Sequence, residues 1–220
     1  MTDTGLVLPD EIALFPLRDA ALFPRSHLPL NMFEPRYLAM TEYALGANRL
    51  IGMIRPRSEN EDMNPPLYSI GCAGRVVSFS ETDNGQFLVE LLGVSRFRLI
   101  SDHLTDGNFR MGEVDWSAFR SDPSSPQEDT DSLRPQLLSS LETYLKSTGL
   151  AADWETIDNA ATETIVNSVA VSCPFDADEK QALLEAPSLT QRIRDLMTLM
   201  EIAAAEALDD MAPDTFSRIQ

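Results

Sequence analysis

The sequence predicts an α+β protein in which a bent, corner-rich β domain with one early helix precedes a helical bundle. Three observations carry this. Prolines at 16, 24 and 29 punctuate the apolar stretch Phe15–Met40, and each fixes its own φ, removes a donor and pushes the preceding residue towards extended backbone. Asn84-Gly85 sits between two runs of strand-forming residues, the strongest short-range hairpin signal. After residue 132 the apolar spacing changes from two to three and four, the period of a helix face.

Taken in order, Phe15-Pro16-Leu17 and Ala21-Leu22-Phe23 read as short extended pieces around a polar corner at Arg18-Asp19. Pro35 suits a first helical position. Arg36 to Leu45 offers Tyr37, Leu38, Met40, Ala44 and Leu45 as an apolar stripe, and Gly46 is placed to end that helix. Leu50 to Ile54 is a buried strand stopped near Pro56, and 58–66 is a polar loop. Tyr68 to Thr82 and Gln86 to Leu92 form the hairpin, with Phe87, Val89 and Leu91 on one face and Glu90 on the other. Gly93 is expected to break that strand before Val94 to Ile100, and Phe109 to Trp116 supplies a last strand.

Residues 120–132 are rich in proline, serine and acid and lack an apolar residue, as a linker does. The expected organisation is therefore 1–119, β domain; 120–132, linker; 133–220, bundle of about four helices. Leu133, Leu137, Leu141, Tyr144 and Leu145 form one stripe, and Ile157, Ala161, Ile165, Val166 and Val169 a second. Asp176 with Glu179, and Ser188 with Gln191, have the spacing of a capping box at two helix starts. Leu189, Ile193, Leu196, Met197, Met200 and Ala204 would face inward on the last helix.

The net charge is −18, with 14 acidic and 10 basic residues in 1–112 against 21 and 7 in 113–220. Such a balance repels phosphate backbones, so nucleic acid is disfavoured as a partner. No apolar run reaches the ~20 residues of a membrane helix, and the N-terminus lacks the basic start of a secretory signal, so a cytoplasmic location without a membrane partner is the expectation. Cys72 and Cys173 lie in apolar surroundings that fit buried structural thiols. Nothing in the sequence sets an oligomeric state.

Several motifs resemble the N-terminal, substrate-binding domain family of Lon proteases. They are Leu14-Phe15-Pro16-Leu17-Arg18-Asp19, Phe23-Pro24, Pro29-Leu30 and the helix start Phe33-Glu34-Pro35-Arg36-Tyr37. Gly71-Cys72-Ala73-Gly74-Arg75-Val76, Gly93-Val94-Ser95-Arg96-Phe97-Arg98-Leu99 and the segment from Glu179 to Ser188 extend the resemblance over nearly the whole chain. The Glu-Pro-Arg-Tyr start resembles the stand-alone bacterial members, which lack the ATPase and protease domains. The resemblance implies a PUA-like β domain, a bent sheet or pseudo-barrel, and a non-catalytic module that binds unfolded or signal-bearing polypeptide, or another protein, as an adaptor or regulator in proteolysis. RNA binding through the PUA-like fold is the alternative.

The chemistry in the residues agrees with binding over catalysis. No Gly-x-x-x-x-Gly-Lys-Ser/Thr phosphate loop occurs. The two lysines, Lys146 and Lys180, fall in predicted helices, and His27 and His103 have no cysteine or carboxylate at metal-ligand spacing. No catalytic residue, cofactor or metal is therefore expected. Arg75, Arg96 and Arg98 form a weak basic stripe that pairing with Glu90 explains more simply. A polypeptide-binding surface needs exposed apolar side chains rimmed by polar ones. The candidates are Met32, Phe33, Glu34, Arg36 and Tyr37, together with the Leu50 strand leading into Arg55 and Arg57. The plainer reading of Phe33 and Tyr37 is core packing.

Overall fold

The computed structural model of the protein describes residues 8–18, 20–57, 64–124 and 130–211, with side chains to residue 207. Asp19, most of the expected 58–66 loop and the middle of the expected linker lie outside these residues, as do the side chains of Asp209 and Asp210. The chain divides into two compact units: Met1–Pro126 with Val171–Glu185, and Gln127–Ala170 with Ala186–Gln220.

The first unit is built on one six-stranded sheet. Its strands are β1 (Glu11–Pro16), β2 (His27–Met32), β3 (Leu50–Ile54), β4 (Ile70–Glu81), β5 (Phe87–Leu104) and β6 (Arg110–Asp115). The order is β2-β5-β4-β3-β1-β6, and β6 also pairs back onto β5. Five strands thus close into a barrel, with β2 added to the N-terminal half of β5. Closure requires one strand to serve two neighbourhoods, and β5 does so with 18 residues. Its N-terminal part pairs with β2 and its C-terminal part, Arg98 to Leu104, with β6.

Gly93 does not break β5, contrary to expectation. It sits opposite Gly74, where the ladder slips by a bulge, the device that coils a long strand. A side chain there would collide with the backbone: a Cβ on Gly93 would lie 1.9 Å from the carbonyl oxygen of Phe23. The hairpin turn is as expected, with Gly85 at φ +76°, a conformation glycine adopts without steric cost.

The barrel interior is apolar. Ile12, Leu14, Leu50, Ile54, Leu67, Ala73, Phe97 and Val114 form its centre, and Phe97 meets Trp116 edge-on at 5.9 Å. All five residues of β3 are buried, so the Leu50 strand is interior and supplies no surface. Helix α1 (Pro35–Gly46) starts with Pro35 as expected. The left-handed residue beyond it is Arg49, at φ 60°, not Gly46.

Helix α5 (Ala177–Glu185) belongs to this unit, although the expected boundaries assigned everything after 132 to the helical half. Its capping box is complete. Asp176 N–H donates to Glu179 Oε2 at 2.7 Å, and Glu179 N–H donates to Asp176 Oδ1 at 2.8 Å. Polar bonds fix the helix to the barrel: Gln181 Nε2 donates to the carbonyl of Ile70 at 3.1 Å, and Arg96 Nη1 to that of Leu184 at 3.1 Å.

Arg96 also corrects the expected strand-face pairing. Glu90 lies 2.9 Å from His27 Nδ1. Arg96 is instead buried and holds Asp122, with Nε to Oδ2 at 2.8 Å and Nη2 to Oδ1 at 2.9 Å. Asp122 is in the expected linker, so the start of that stretch is anchored through a polar side chain. Arg25 adds a second hold on the carbonyls of Asp122 and Ser124.

The second unit contains α2 (Arg134–Thr148), α3 (Trp154–Asn159), most of α4 (Thr162–Ser172) and α6 (Leu189–Met211). The stripe read from Ile157 to Val169 is two helices, parted at Ala160-Ala161. Arg134 stabilises the end of α3 by donating to the carbonyls of Ile157 at 3.0 Å and Ala160 at 2.7 Å. Leu137, Leu141, Tyr144, Ile165, Val166, Ile193, Leu196 and Met200 are buried, which confirms the helical periodicity. Both cysteines are buried, as expected.

Candidate groove beside the early helix

The first unit carries a groove of about 740 Å³. Its lining comes from separate parts of the sequence: Phe15, Pro16 and Leu17 at the end of β1, Leu30 and Asn31 of β2, Phe33 and Tyr37 at the start of α1, and Leu104 with Phe109 around the β5–β6 turn. Three arginines and one glutamate, Arg18, Arg36, Arg110 and Glu34, complete it. Its size is that of a site for several side chains.

The proline pattern positions these residues. Pro35 starts α1 immediately after β2, leaving Phe33 at the junction with 62% of its surface exposed. Leu104, also on the lining, is 48% exposed. Tyr37 is half-buried against Phe15, with ring centroids 4.4 Å apart. Burial pushes its phenol above the ordinary value of 10.0, and the neighbouring Arg36 partly offsets this.

Arg36 spans Tyr37 and Glu34. Its guanidinium lies 4.6 Å from the Tyr37 ring centroid, and its Nε donates to Glu34 Oε2 at 2.9 Å. Arg110 is buried and committed to structure. Its Nε donates to Asp102 Oδ2 at 2.6 Å and its Nη1 to the carbonyl of Pro65 at 2.6 Å. The β5–β6 turn that carries Phe109 is held by Thr105 N–H donating to the Phe109 carbonyl at 2.9 Å. Asn108 takes a left-handed φ of 58° there.

The structure therefore brings together four of the seven residues singled out from the sequence: Phe33, Glu34, Arg36 and Tyr37. Met32 is separated from them, because strand alternation turns it inward, where it is 1% exposed. Arg55 and Arg57 belong to another cluster around Tyr68, at 5.0 and 5.5 Å from its ring centroid. Arg55 Nη1 donates to Asp178 Oδ1 at 2.6 Å. Leu17, Leu30, Leu104 and Phe109 were not read from the sequence. They converge through the pairing of β1 with β6 and of β2 with β5, strands that lie far apart in the sequence.

Among the described residues no group of three or more histidine, cysteine or acidic side chains is placed to hold a metal ion. No described helix is long and apolar enough to cross a membrane. The arrangement offers an apolar floor, exposed aromatic and aliphatic side chains and charged neighbours, which is the chemistry of a binding surface.

A mixed barrel bearing an apolar groove at its early helix, together with a helical unit, makes this an α+β fold of two units. The chain belongs to the family described as the ATP-dependent protease La (LON) substrate-binding domain, whose sequence model matches residues 11–201. Among its relatives, Lon protease 2 of Sorangium cellulosum is 38% identical over 97 residues, covering 42% of this chain and 12% of that protein. Lon protease 2 of Myxococcus xanthus is 24% identical over 209 residues, covering 91% of this chain and 25% of that protein. The chain thus spans a quarter or less of the length of these relatives. Two solved structures share the fold. A Lon N-terminal domain protein from Xanthomonas campestris has a TM-score of 0.60 and 21% identity, covering 86% of this chain and 97% of that one. The N-terminal domain of a Mycobacterium avium complex Lon protease has a TM-score of 0.66 and 15% identity, covering 87% of this chain and 98% of that one.

Proposed function

We propose that the protein is a non-catalytic polypeptide-recognition module that takes unfolded or signal-bearing chains into the groove beside α1, acting in the cytoplasm as an adaptor or regulator of proteolysis. The observation that carries this is Phe33: a large ring left 62% exposed on a groove already floored by Phe15, Leu17, Leu30 and Phe109. Exposed apolar surface of this kind has a solvation cost that an apolar side chain of a partner would relieve. Membership of a substrate-binding domain family supports the same reading.

RNA is the weaker partner. The net charge of −18 opposes it, and Arg96, central to the only basic stripe expected from the sequence, is spent internally on Asp122.

The test is a titration of a labelled, reduced and carboxymethylated polypeptide at physiological salt, with a photo-crosslinking residue at Leu104. Saturable binding with crosslinks at position 104 is expected. Binding without crosslinks there, or a shift seen only with RNA and lost with added salt, would overturn the proposal.

A further inference from the structure

The groove is bordered by an open sheet edge. Among the described residues β2 pairs with β5 alone, and its Leu30 and Asn31 line the groove next to Phe33. The phase of the strand follows from one bond: Gly93 N–H donates to the Ser26 carbonyl at 2.9 Å. In an antiparallel ladder, bonded residues alternate. The backbone groups of Leu28, Leu30 and Met32 therefore turn towards β5, and those of His27, Pro29 and Asn31 turn away from it. Asn31 thus presents a donor and an acceptor beside the groove, while Pro29 presents an acceptor only. A proline on an edge strand limits open-ended pairing between sheets, yet it leaves room for one short added strand.

The charges of the groove add a second constraint. Arg18, Arg36 and Arg110 stand against Glu34 on the lining and Asp102 behind Arg110, a formal +1 on a chain of net −18. Arg110 is committed to Asp102. Arg36 stands near the exposed Phe33, its Nε and Nη2 both directed to Glu34.

Resting on the reading above, we propose that the groove receives its polypeptide as an added β-strand along the outer edge of β2, with an apolar side chain against Phe33 and a carboxylate beside it for Arg36. Edge addition supplies affinity through main-chain bonds and leaves selectivity to alternate side chains. A helical segment satisfies its own backbone and has no use for the Asn31 edge.

The experiment uses the full chain and ten-residue peptides with a central phenylalanine. One series flanks it with Asp, Asn or Lys; another carries a single backbone N-methyl group at each position in turn. Affinity should fall tenfold or more at every second N-methyl position and hardly at all between them. The order should be Asp over Asn over Lys, and Arg36→Gln should erase the difference between Asp and Asn while phenylalanine is still required. Loss of affinity at spacings of three and four, uniform tolerance of N-methylation, or no preference for the carboxylate would overturn edge addition or its charge rule, with groove binding intact. Failure of every peptide to bind, or binding that ignores Phe33→Ser, would overturn the groove itself and this proposal with it.

Discussion

Arg96 and Asp122 form a bidentate ion pair inside the first unit, with both side chains at least nine-tenths buried. The Asp122 carboxylate also accepts the Arg96 backbone N–H at 3.0 Å. Arg96 in turn stacks on Phe119 at 4.4 Å and reaches the end of α5. One side chain therefore joins β5, the segment after β6 and a helix that returns from far along the sequence.

Breaking this pair should be costly. Removing one partner of a buried ion pair leaves an uncompensated charge, at about 3–5 kcal/mol. Asp122→Asn and Arg96→Met should each destabilise by that order in urea unfolding. The double variant Arg96→Met/Asp122→Leu should lose much less than the sum. Single substitutions within about 0.5 kcal/mol of the parent would show that the pair does not hold the unit together.

Asp178 gives a test by pH. Its carboxyl sits below the ordinary 3.8, first because Arg55 donates a hydrogen bond to it and then because Tyr68 does. A depressed carboxylate contributes stability above its unfolded pKa and loses it as pH falls through the folded value. The contribution should thus be present at neutral pH and disappear in the window below 3.8. Carboxyl NMR titration should place the Asp178 midpoint low in the parent and restore it upward in Arg55→Gln. An unchanged midpoint would remove the assigned cause.

The strand glycine Gly93 and the turn glycine Gly85 should differ in cost. At Gly93 a methyl group meets backbone at 1.9 Å, so Gly93→Ala should cost about 3 kcal/mol, the upper end of overpacking effects. At Gly85 nothing lies within 4 Å and only the left-handed φ of +76° opposes a side chain, so Gly85→Ala should cost about 1–2 kcal/mol. Thermal denaturation that ranks them in reverse would contradict the coiled path of β5.

The fold was legible wherever the signal was local. Asn84-Gly85, Pro35 and the Asp176–Glu179 box were read with their roles, because each depends on a few neighbouring residues. The misread elements depend on distant ones. Gly93 looks like a breaker until Phe23 is seen against it, and Ala160-Ala161 hides a helix break that Arg134 makes tolerable. Residues 120–124 look detached because their anchor is polar, and a search for apolar contacts passes over Asp122. The groove was half legible for the same reason. Phe33, Glu34, Arg36 and Tyr37 are contiguous, whereas Leu104 and Phe109 arrive through pairing of β5 with β6. Met32 shows the opposite failure: contiguity suggested a shared surface, and strand alternation buried it.

The central claim rests on Phe33 as an exposed binding residue, and Phe33→Ser tests it most directly, with melting and binding measured on the same sample. Substitution of an exposed residue changes stability by no more than about 0.5 kcal/mol, and Pro35→Ala, at a first-turn position where no donor is missed, serves as a mild control. The melting temperature should stay near that of the parent while affinity for unfolded polypeptide falls at least tenfold. A loss of about 3 kcal/mol or more would mark Phe33 as core, and unchanged affinity at unchanged stability would show that the polypeptide binds elsewhere.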